Sequence, residues 1–318
     1  MQIDFSFITI LLAMAKLSLL ALTGYLFYQL KLINGEFVDM MSKVLVRLLF
    51  PALIVSKTIT NLNFKEIPYW WALPLSAMAY ALAGMLLGWV VLRVLKGFSS
   101  PRELMCASGF QNCGYLPMNL IAFAFAGEAQ ARLLVYVILF VFGFDLIMWS
   151  IVPLFLSGRL RSDFTVSKFF NVPVLATFFS VSWVAIFGNN SLPAVMMDPV
   201  GQLGQAAFPM AMFVLGAFLN RYKAFRPKDP GPVAVTTIVK LLVLPALVMP
   251  ILLMVNMAPD LKFFLFLQAM LPTAVSMVVV GSFTGADNEF LSSVIFYTHL
   301  AAIITMPLCL GIFRVLGG

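Results

Sequence analysis

Residues 111–119, QNCGYLPMN, place polar side chains inside a stretch that is otherwise apolar enough to cross a membrane. Gly114 and Pro117 both disfavour an uninterrupted helix here. Non-helical backbone is stable at membrane depth only where protein or a water-filled cavity supplies hydrogen-bond partners for its polar groups. The half-helix that follows a break begins with free N–H groups, which suit an anion. Three amide side chains could hydrogen-bond a substrate or coordinate a cation: Gln111, Asn112 and Asn119. We therefore predict a ligand site at this break; the alternative is that the amides only cap broken backbone.

A second break is predicted from an internal repeat. YLPMNLIAFAFAG (115–127) resembles MLPTAVSMVVVGS (270–282), LLFPALIVSKTI (48–59) resembles AAFPMAMFVLGA (206–217), and Pro153 matches Pro307 at nearly the same separation. The alternative is that Leu-Pro and Phe-Pro pairs recur by chance in an apolar sequence. The second break adds four predicted substrate-binding residues: Gln268, Pro272, Thr273 and Ser276.

Ionisable side chains within apolar spans are costly and are functional by default. Such residues in this chain are Lys16, Arg47, Lys57, Asp145, Lys240 and His299. Arg47 and Lys57 lie towards opposite ends of one span, where long cationic side chains can reach the interface. Lys16 lies near the centre of the first span, so we predict that it binds a substrate carboxylate or neighbouring backbone.

Asp145 and His299 each precede the matched prolines, Pro153 and Pro307, by eight residues, which makes them equivalent in the repeat. A carboxylate beside unwound carbonyls suits a coupling cation, and a histidine suits a proton switch. We expect Asp145, His299 and Lys240 to handle the coupling ion or proton. Two alternatives stay open: a static Asp145–Lys240 ion pair, and a His299 that is only a satisfied polar residue.

The composition indicates the elements that must position these residues. The chain of 318 residues is 62% hydrophobic and 10% charged, with a mean hydropathy of +1.01, whereas ordinary globular chains are about 25% charged. Runs of about 20 apolar residues can cross a bilayer. The hydropathy of the chain and the positions of Gly and Pro residues predict ten membrane spans. They lie at residues 8–30, 38–60, 68–92, 104–126, 131–156, 168–188, 198–219, 232–256, 262–283 and 289–315.

The Lys and Arg residues of the loops predict the orientation. One side collects twelve of them: Lys31, Lys43, Arg93, Lys96, Arg102, Arg159, Arg161, Lys168, Arg221, Lys223, Arg226 and Lys228. The other side has four: Lys65, Arg132, Lys262 and Arg314. This asymmetry predicts that both termini lie outside, and it explains the net charge of +7 without nucleic acid.

Enzymatic chemistry is not indicated. The chain has one His and three Cys without zinc or redox spacing, no phosphate-binding glycine loop and no paired carboxylates within a span. We expect no metal site and no cofactor. Five spans in each half is an odd number, so the second half must enter the membrane inverted, and inverted repeats with interrupted helices are typical of secondary transporters.

Four further segments are informative: GYLFYQLKLINGEFVDMMSKVLVRLLFPALIVS, FQNCGYLPMNLIAFAF, LGQAAFPMAMFVLGAFL and LPTAVSMVVVGSFTGADNEFLSSVIFYTHLAAIITMPL. Together they resemble the auxin efflux carrier family. That family includes plant PIN-formed exporters and bacterial carriers of malonate and related carboxylates. The resemblance implies an all-α polytopic membrane protein with ten transmembrane helices in two inverted five-helix repeats, whose helices four and nine are broken and crossed, as in bile-acid sodium symporters. It carries the family's asparagine of span four onto Asn112. Many members have Gly-Ile-Pro where this chain has Pro117, Met118 and Asn119, so the break is expected to be shifted by two residues.

The resemblance also divides the chain. Residues 1–156 would be the first repeat, 157–167 a cytoplasmic linker and 168–318 the second repeat, with spans 1, 2, 6 and 7 as a scaffold and spans 3–5 and 8–10 as the transport part. We expect a secondary transporter of a small organic anion, auxin-like or dicarboxylate-like, that works by alternating access, in a bacterial inner membrane. The alternatives are a sodium-coupled symporter of larger amphipathic anions and a ligand-binding membrane sensor. This sequence is compatible with import or export, with coupling to H⁺, to Na⁺ or to neither, and with a homodimer or a monomer.

Overall fold

The computed structural model describes residues 7–65, 67–158 and 172–316, which are helical apart from connections and one isolated β-bridge. The helices of the first half are α1 Phe7–Gln29, α2 Gly35–Val44, α3 Phe50–Asn61, α4 Ala72–Val94, α5 Pro101–Gly109, α6 Tyr115–Ala124, α7 Gly127–Met148 and α8 Ile151–Leu156. Those of the second half are α9 Val172–Phe187, α10 Ala194–Arg221, α11 Pro230–Ile238, α12 Leu244–Met254, α13 Pro259–Ala269, α14 Ser276–Thr284 and α15 Asn288–Val315.

Each predicted span coincides with one helix or with consecutive helical segments. The second span is α2 and α3 joined by a π-helical turn, Leu45–Leu49, and the eighth is α11 and α12 joined by another, Val239–Val243. A proline follows shortly after each π turn, Pro51 and Pro245. Since proline lacks an N–H and its ring crowds the carbonyl four residues earlier, a widened turn lets the helix continue past it. Lys240 lies in the second of these turns.

Five helices in the described part of the chain are long and apolar enough to cross a membrane: Ala72–Val94, Gly127–Leu156, Ala194–Arg221, Pro230–Met254 and Asn288–Val315. Their outward faces are apolar as well; Leu82 and Leu86 on α4 and Ile304 and Leu308 on α15 are each more than half exposed. Contiguous apolar faces of this kind are unfavourable in water and suit lipid. The chain is therefore an integral, multi-pass membrane protein.

The helices pack in two groups. In one group α1 lies along α10, and α3 packs against both α9 and α10. In the other, α4 packs against α5 and α7, and α11 against α15. The α1–α10 contact is close because a Cβ at Gly216 would collide with the backbone of Ala21, and one at Gly24 with the backbone of Phe213. Small residues of this kind let membrane helices approach closely.

Contacts between helix ends sort the connections onto two sides. On one side Arg221 lies 2.8 Å from Asp39, Lys228 2.7 Å from Glu289, and the Ser100 hydroxyl donates to Asp287 at 2.6 Å. On the other side Arg132 lies 3.2 Å from Asp260, and the Asn190 N–H donates to the Ile59 carbonyl at 2.9 Å. These contacts divide the helix ends into two sets, one at each end of the helix bundle.

Candidate functional site

The two predicted breaks exist, and their unwound segments lie against each other. Residues 110–114 separate α5 from α6, and residues 270–275 separate α13 from α14. Gln111 and Thr273 form an antiparallel β-bridge. The Asn112 N–H donates to the Pro272 carbonyl at 2.8 Å, and the Ala274 N–H to the Phe110 carbonyl at 2.9 Å. Each unwound chain thus satisfies backbone groups of the other, which is what a break at membrane depth requires.

The position of the first break differs from the sequence expectation. We expected it to be shifted towards Pro117–Asn119, but the chain is already helical from Tyr115, so Pro117 lies in the first turn of α6. Proline is tolerated there because the first N–H groups of a helix have no intrahelical partner. Asn119 is also helical, and its side chain lies outside the described ones.

The register of the repeat also needs correction. Asn112 and Thr273 each lie three residues before the helix that follows its break, which makes these two residues the counterparts. The Leu-Pro match had paired Pro117 with Pro272, and Pro272 instead stands in unwound backbone. Counted from the starts of α7 and α15, Asp145 and His299 are not equivalent positions either. The helix starts therefore give a different register from the Leu-Pro match.

The two paired unwound segments, 110–114 and 270–275, are called the crossing below. Side-chain hydrogen bonds connect the crossing to neighbouring helices. The Thr273 hydroxyl donates to the Ala107 carbonyl at 2.9 Å, and the Thr273 N–H donates to the Thr298 hydroxyl at 3.2 Å. Gln268 Nε2 donates to the Cys113 carbonyl at 3.2 Å. Gln268 and Thr273 are fully buried, so both act on the backbone of the crossing.

Lys240 reaches the end of α5. Its ammonium lies 3.5 Å from the Gly109 carbonyl and 3.3 Å from Gln111 Oε1. Carbonyls at a helix C-terminus carry partial negative charge, so a cation is favoured there. The alternative of an Asp145–Lys240 ion pair is not seen among the described contacts. Asp145 instead accepts a hydrogen bond from Trp149 Nε1 at 3.0 Å.

Asn112 is held by His299. Asn112 Nδ2 and His299 Nε2 are 3.2 Å apart, and His299 Nδ1 lies 2.8 Å from the Ile295 carbonyl. A carbonyl only accepts, so Nδ1 carries the proton and Nε2 of the neutral ring accepts from the Asn112 amide. The histidine thereby fixes the orientation of the Asn112 side chain.

A cavity of about 80 Å³ adjoins the crossing. On one side it is lined by α3 and α9, and on the other by the two breaks and α7. The first residues of α6 and α14, Tyr115 and Ser276, lie in its wall, so the N-terminal ends of two half-helices, which carry partial positive charge, border the cavity. Its polar lining also includes Lys57, Gln111, Asn112, Asp145 and Thr177, and its aromatic lining Phe50, Tyr115, Phe142, Phe144 and Trp149.

Apart from Pro117 and Asn119, which lie in α6, the predicted site residues fall into three sets. The cavity is lined by Gln111, Asn112, Gly114, Asp145 and Ser276. Buried support of the crossing comes from Lys240, Gln268, Pro272 and Thr273. Lys16 is exposed on α1 and does not line this cavity, whereas His299 contacts Asn112 and lines a second, largely apolar cavity between α1, α10 and α15.

Sequence reasoning missed Trp149, Tyr115 and Lys57 as lining residues. Lys57 was visible as a charge within a span, but its distance from the centre of that span favoured a side chain reaching the interface.

Two comparisons with known proteins indicate the family of this chain. A family model described as "Membrane transport protein" matches residues 9–163 and 159–310. The protein PIN-LIKES 1 of Arabidopsis thaliana is 27% identical over 122 residues, which are 36% of this chain and 25% of that relative. The matched part thus spans about a quarter of the relative's length.

Proposed function

The chain belongs to the membrane transport protein family that contains the auxin efflux carriers, and we propose that it is a secondary carrier of a small organic anion. It is a transporter by family and not an enzyme. The observation that carries the proposal is the cavity beside the paired breaks. There, the N-termini of α6 and α14 meet the Asn112 amide in a largely apolar wall. The positive dipole end of a helix N-terminus suits a carboxylate.

The proposed architecture has ten transmembrane helices in two inverted five-helix repeats, 1–156 and 168–318, joined by the linker 157–167. This linker falls largely outside the described residues. The corresponding starts of the half-helices support the repeat: Pro101 and Pro259 open α5 and α13, and Tyr115 and Ser276 open α6 and α14. The sorting of helix ends onto two sides supports ten crossings.

The two packing groups support a division into scaffold and transport parts. The group of α1, α3, α9 and α10 corresponds to the scaffold spans, and the group of α4, α5, α7, α11 and α15 belongs to the transport spans. The cavity lies where the groups meet, with α3 and α9 on one side and the crossing on the other. Relative movement of the groups would expose this cavity to each side of the membrane in turn, which is alternating access.

In this proposal Asn112 and the N-terminal ends of α6 and α14 attract the substrate carboxylate, and Gln111, Gly114 and Ser276 shape the pocket. Gln268, Pro272 and Thr273 hold the crossing in place. Asp145 is the candidate for a coupling ion or proton because it is a carboxylate in the cavity wall. Lys240 donates a hydrogen bond to Gln111, and His299 orients Asn112.

Uptake of radiolabelled phenylacetate, malonate and indole-3-acetate into proteoliposomes tests the proposal. We expect accumulation or counterflow of at least one of these anions, lost in Asn112→Ala and in Asn112→Ala with Asn119→Ala. Asn256→Ala is the matched control, because Asn256 is an exposed amide in the connection between α12 and α13. Transport at the wild-type rate in the Asn112 variants would show that the substrate does not bind at Asn112.

The same assay separates the two alternatives. A sodium-coupled symporter of amphipathic anions would accumulate taurocholate only in a sodium gradient and lose that dependence in Asp145→Asn. A membrane sensor would bind a carboxylate without counterflow.

The Lys and Arg asymmetry supports the proposed orientation, with both termini outside. The membrane that we propose is a bacterial inner membrane.

A further inference from the structure

The cavity wall contains a lysine, Lys57, to which the proposed anion site gives no role. Lys57 is on α3, is half-buried and lines the cavity wall. Among the described residues its ammonium makes no ion pair or hydrogen bond. An ammonium within a membrane protein is costly unless it meets an anion, backbone carbonyls or water. A cation that faces a cavity beside two helix N-termini is therefore placed to meet an anion that enters.

The other charged group of the wall limits which anion fits. Asp145 is on α7, is 7% exposed, and has one carboxyl oxygen bonded to Trp149 Nε1. Lys57 and Asp145 form no ion pair with each other, although both line the same cavity. One carboxylate on the ligand would be attracted to Lys57, whereas a second would share the cavity with the Asp145 carboxyl group, which disfavours a further negative charge.

The remaining wall is apolar and aromatic. Phe50 lies between Tyr115 and Trp149, with ring centroids 5.3 Å and 6.4 Å away. Such rings favour the flat apolar body of a ligand over a chain of further charges.

We propose that Lys57 binds the carboxylate of the substrate and that Lys57 and Asp145 together restrict the site to anions with a single carboxylate. This inference rests on the proposed function and adds a residue from the other packing group to the site. Because Lys57 is on α3 and Asn112 is on the crossing, the substrate joins the two groups while it is bound. Movement of one group against the other then separates Lys57 from Asn112 and weakens the site.

A matched ligand series tests the inference with purified full-length protein in detergent. Phenylacetate carries one carboxylate, phenylacetamide none and phenylmalonate two, on the same aromatic ring. We expect wild type to prefer phenylacetate over both of the others. Lys57→Met should weaken phenylacetate between about 10-fold and about 150-fold, the range of a hydrogen bond to a charged group, and leave phenylacetamide unchanged.

Three further variants make the result specific. Lys57→Arg keeps the charge and should keep the preference for phenylacetate over its amide. Lys65→Met removes a positive charge from the connection just after α3 and should change nothing. Asp145→Asn should strengthen phenylmalonate relative to phenylacetate. A thermal melt of each variant establishes that it is folded.

The outcomes separate the two proposals. Equal weakening of phenylacetate and phenylacetamide by Lys57→Met would show a structural role and overturn the inference, as would no weakening at all. Phenylacetate binding that is lost in Asn112→Ala but kept in Lys57→Met would leave the proposed function standing without Lys57. Failure of wild type to bind phenylacetate, malonate or indole-3-acetate would overturn both.

Discussion

The contact between Asn112 and His299 gives the sharpest quantitative prediction. Replacing His299 with Leu removes the acceptor 3.2 Å from Asn112 Nδ2, at a side chain that is only 3% exposed. A neutral hydrogen bond contributes about 0.5–1.5 kcal/mol net, and this one acts on binding because it orients the amide in the cavity wall. We therefore expect His299→Leu to raise the Kd of the proposed carboxylate substrate about 2-fold to about 13-fold.

A double-mutant cycle measures this effect. Titration calorimetry on wild type, His299→Leu, Asn112→Gln and the double variant gives the coupling energy between the two positions. We expect His299→Leu to change the Kd very little once Asn112 is replaced, so that the coupling equals about 0.5–1.5 kcal/mol. His299→Gln offers an acceptor again and should recover part of the affinity. Additive effects of the two substitutions would refute the orienting role, even if each alone weakens binding.

Three other predictions follow from the packing and the topology. Gly216→Ala should lower the unfolding free energy by about 1–3 kcal/mol because its Cβ meets the Ala21 backbone, whereas Gly201→Ala, in open space on the same helix, should be neutral or stabilising; equal melting temperatures would contradict this. Gln268→Leu leaves the Cys113 carbonyl without its donor and should cost about 1–3 kcal/mol, visible as a lower midpoint in a thermal melt; an unchanged midpoint would mean that another donor replaces it. In intact cells an impermeant maleimide should label Asn256→Cys and should reach Lys223→Cys only after permeabilisation, because the proposed topology places the two connections on opposite sides of the membrane; the reverse pattern would invert the proposed orientation.

Hydropathy and Gly-Pro punctuation were enough to locate the helices, because each span must supply about 20 apolar residues whatever its neighbours are. The existence of both breaks also followed from the sequence. Their registers did not, because Pro117 is compatible with the first turn of a helix and Pro272 with unwound backbone, and the same Leu-Pro pair precedes both outcomes. The part played by each polar residue was hidden for a related reason. Whether Lys240 meets Asp145 or the end of α5 depends on helix rotation, and a π-helical turn changes that rotation locally.

The pairing of the two unwound segments has a consequence for biogenesis. Asn112 leaves the ribosome roughly 160 residues before Pro272, its backbone partner. At synthesis rates of about 5–20 residues per second, the first break waits about 8–32 s for the chain that satisfies it. During that interval its polar backbone depends on the insertion machinery or on water. Synthesis of the second half therefore supplies the hydrogen-bond partners that the first break needs within the bilayer. A chain truncated before α13 would keep unpaired backbone groups at this break, which membrane quality control could recognise.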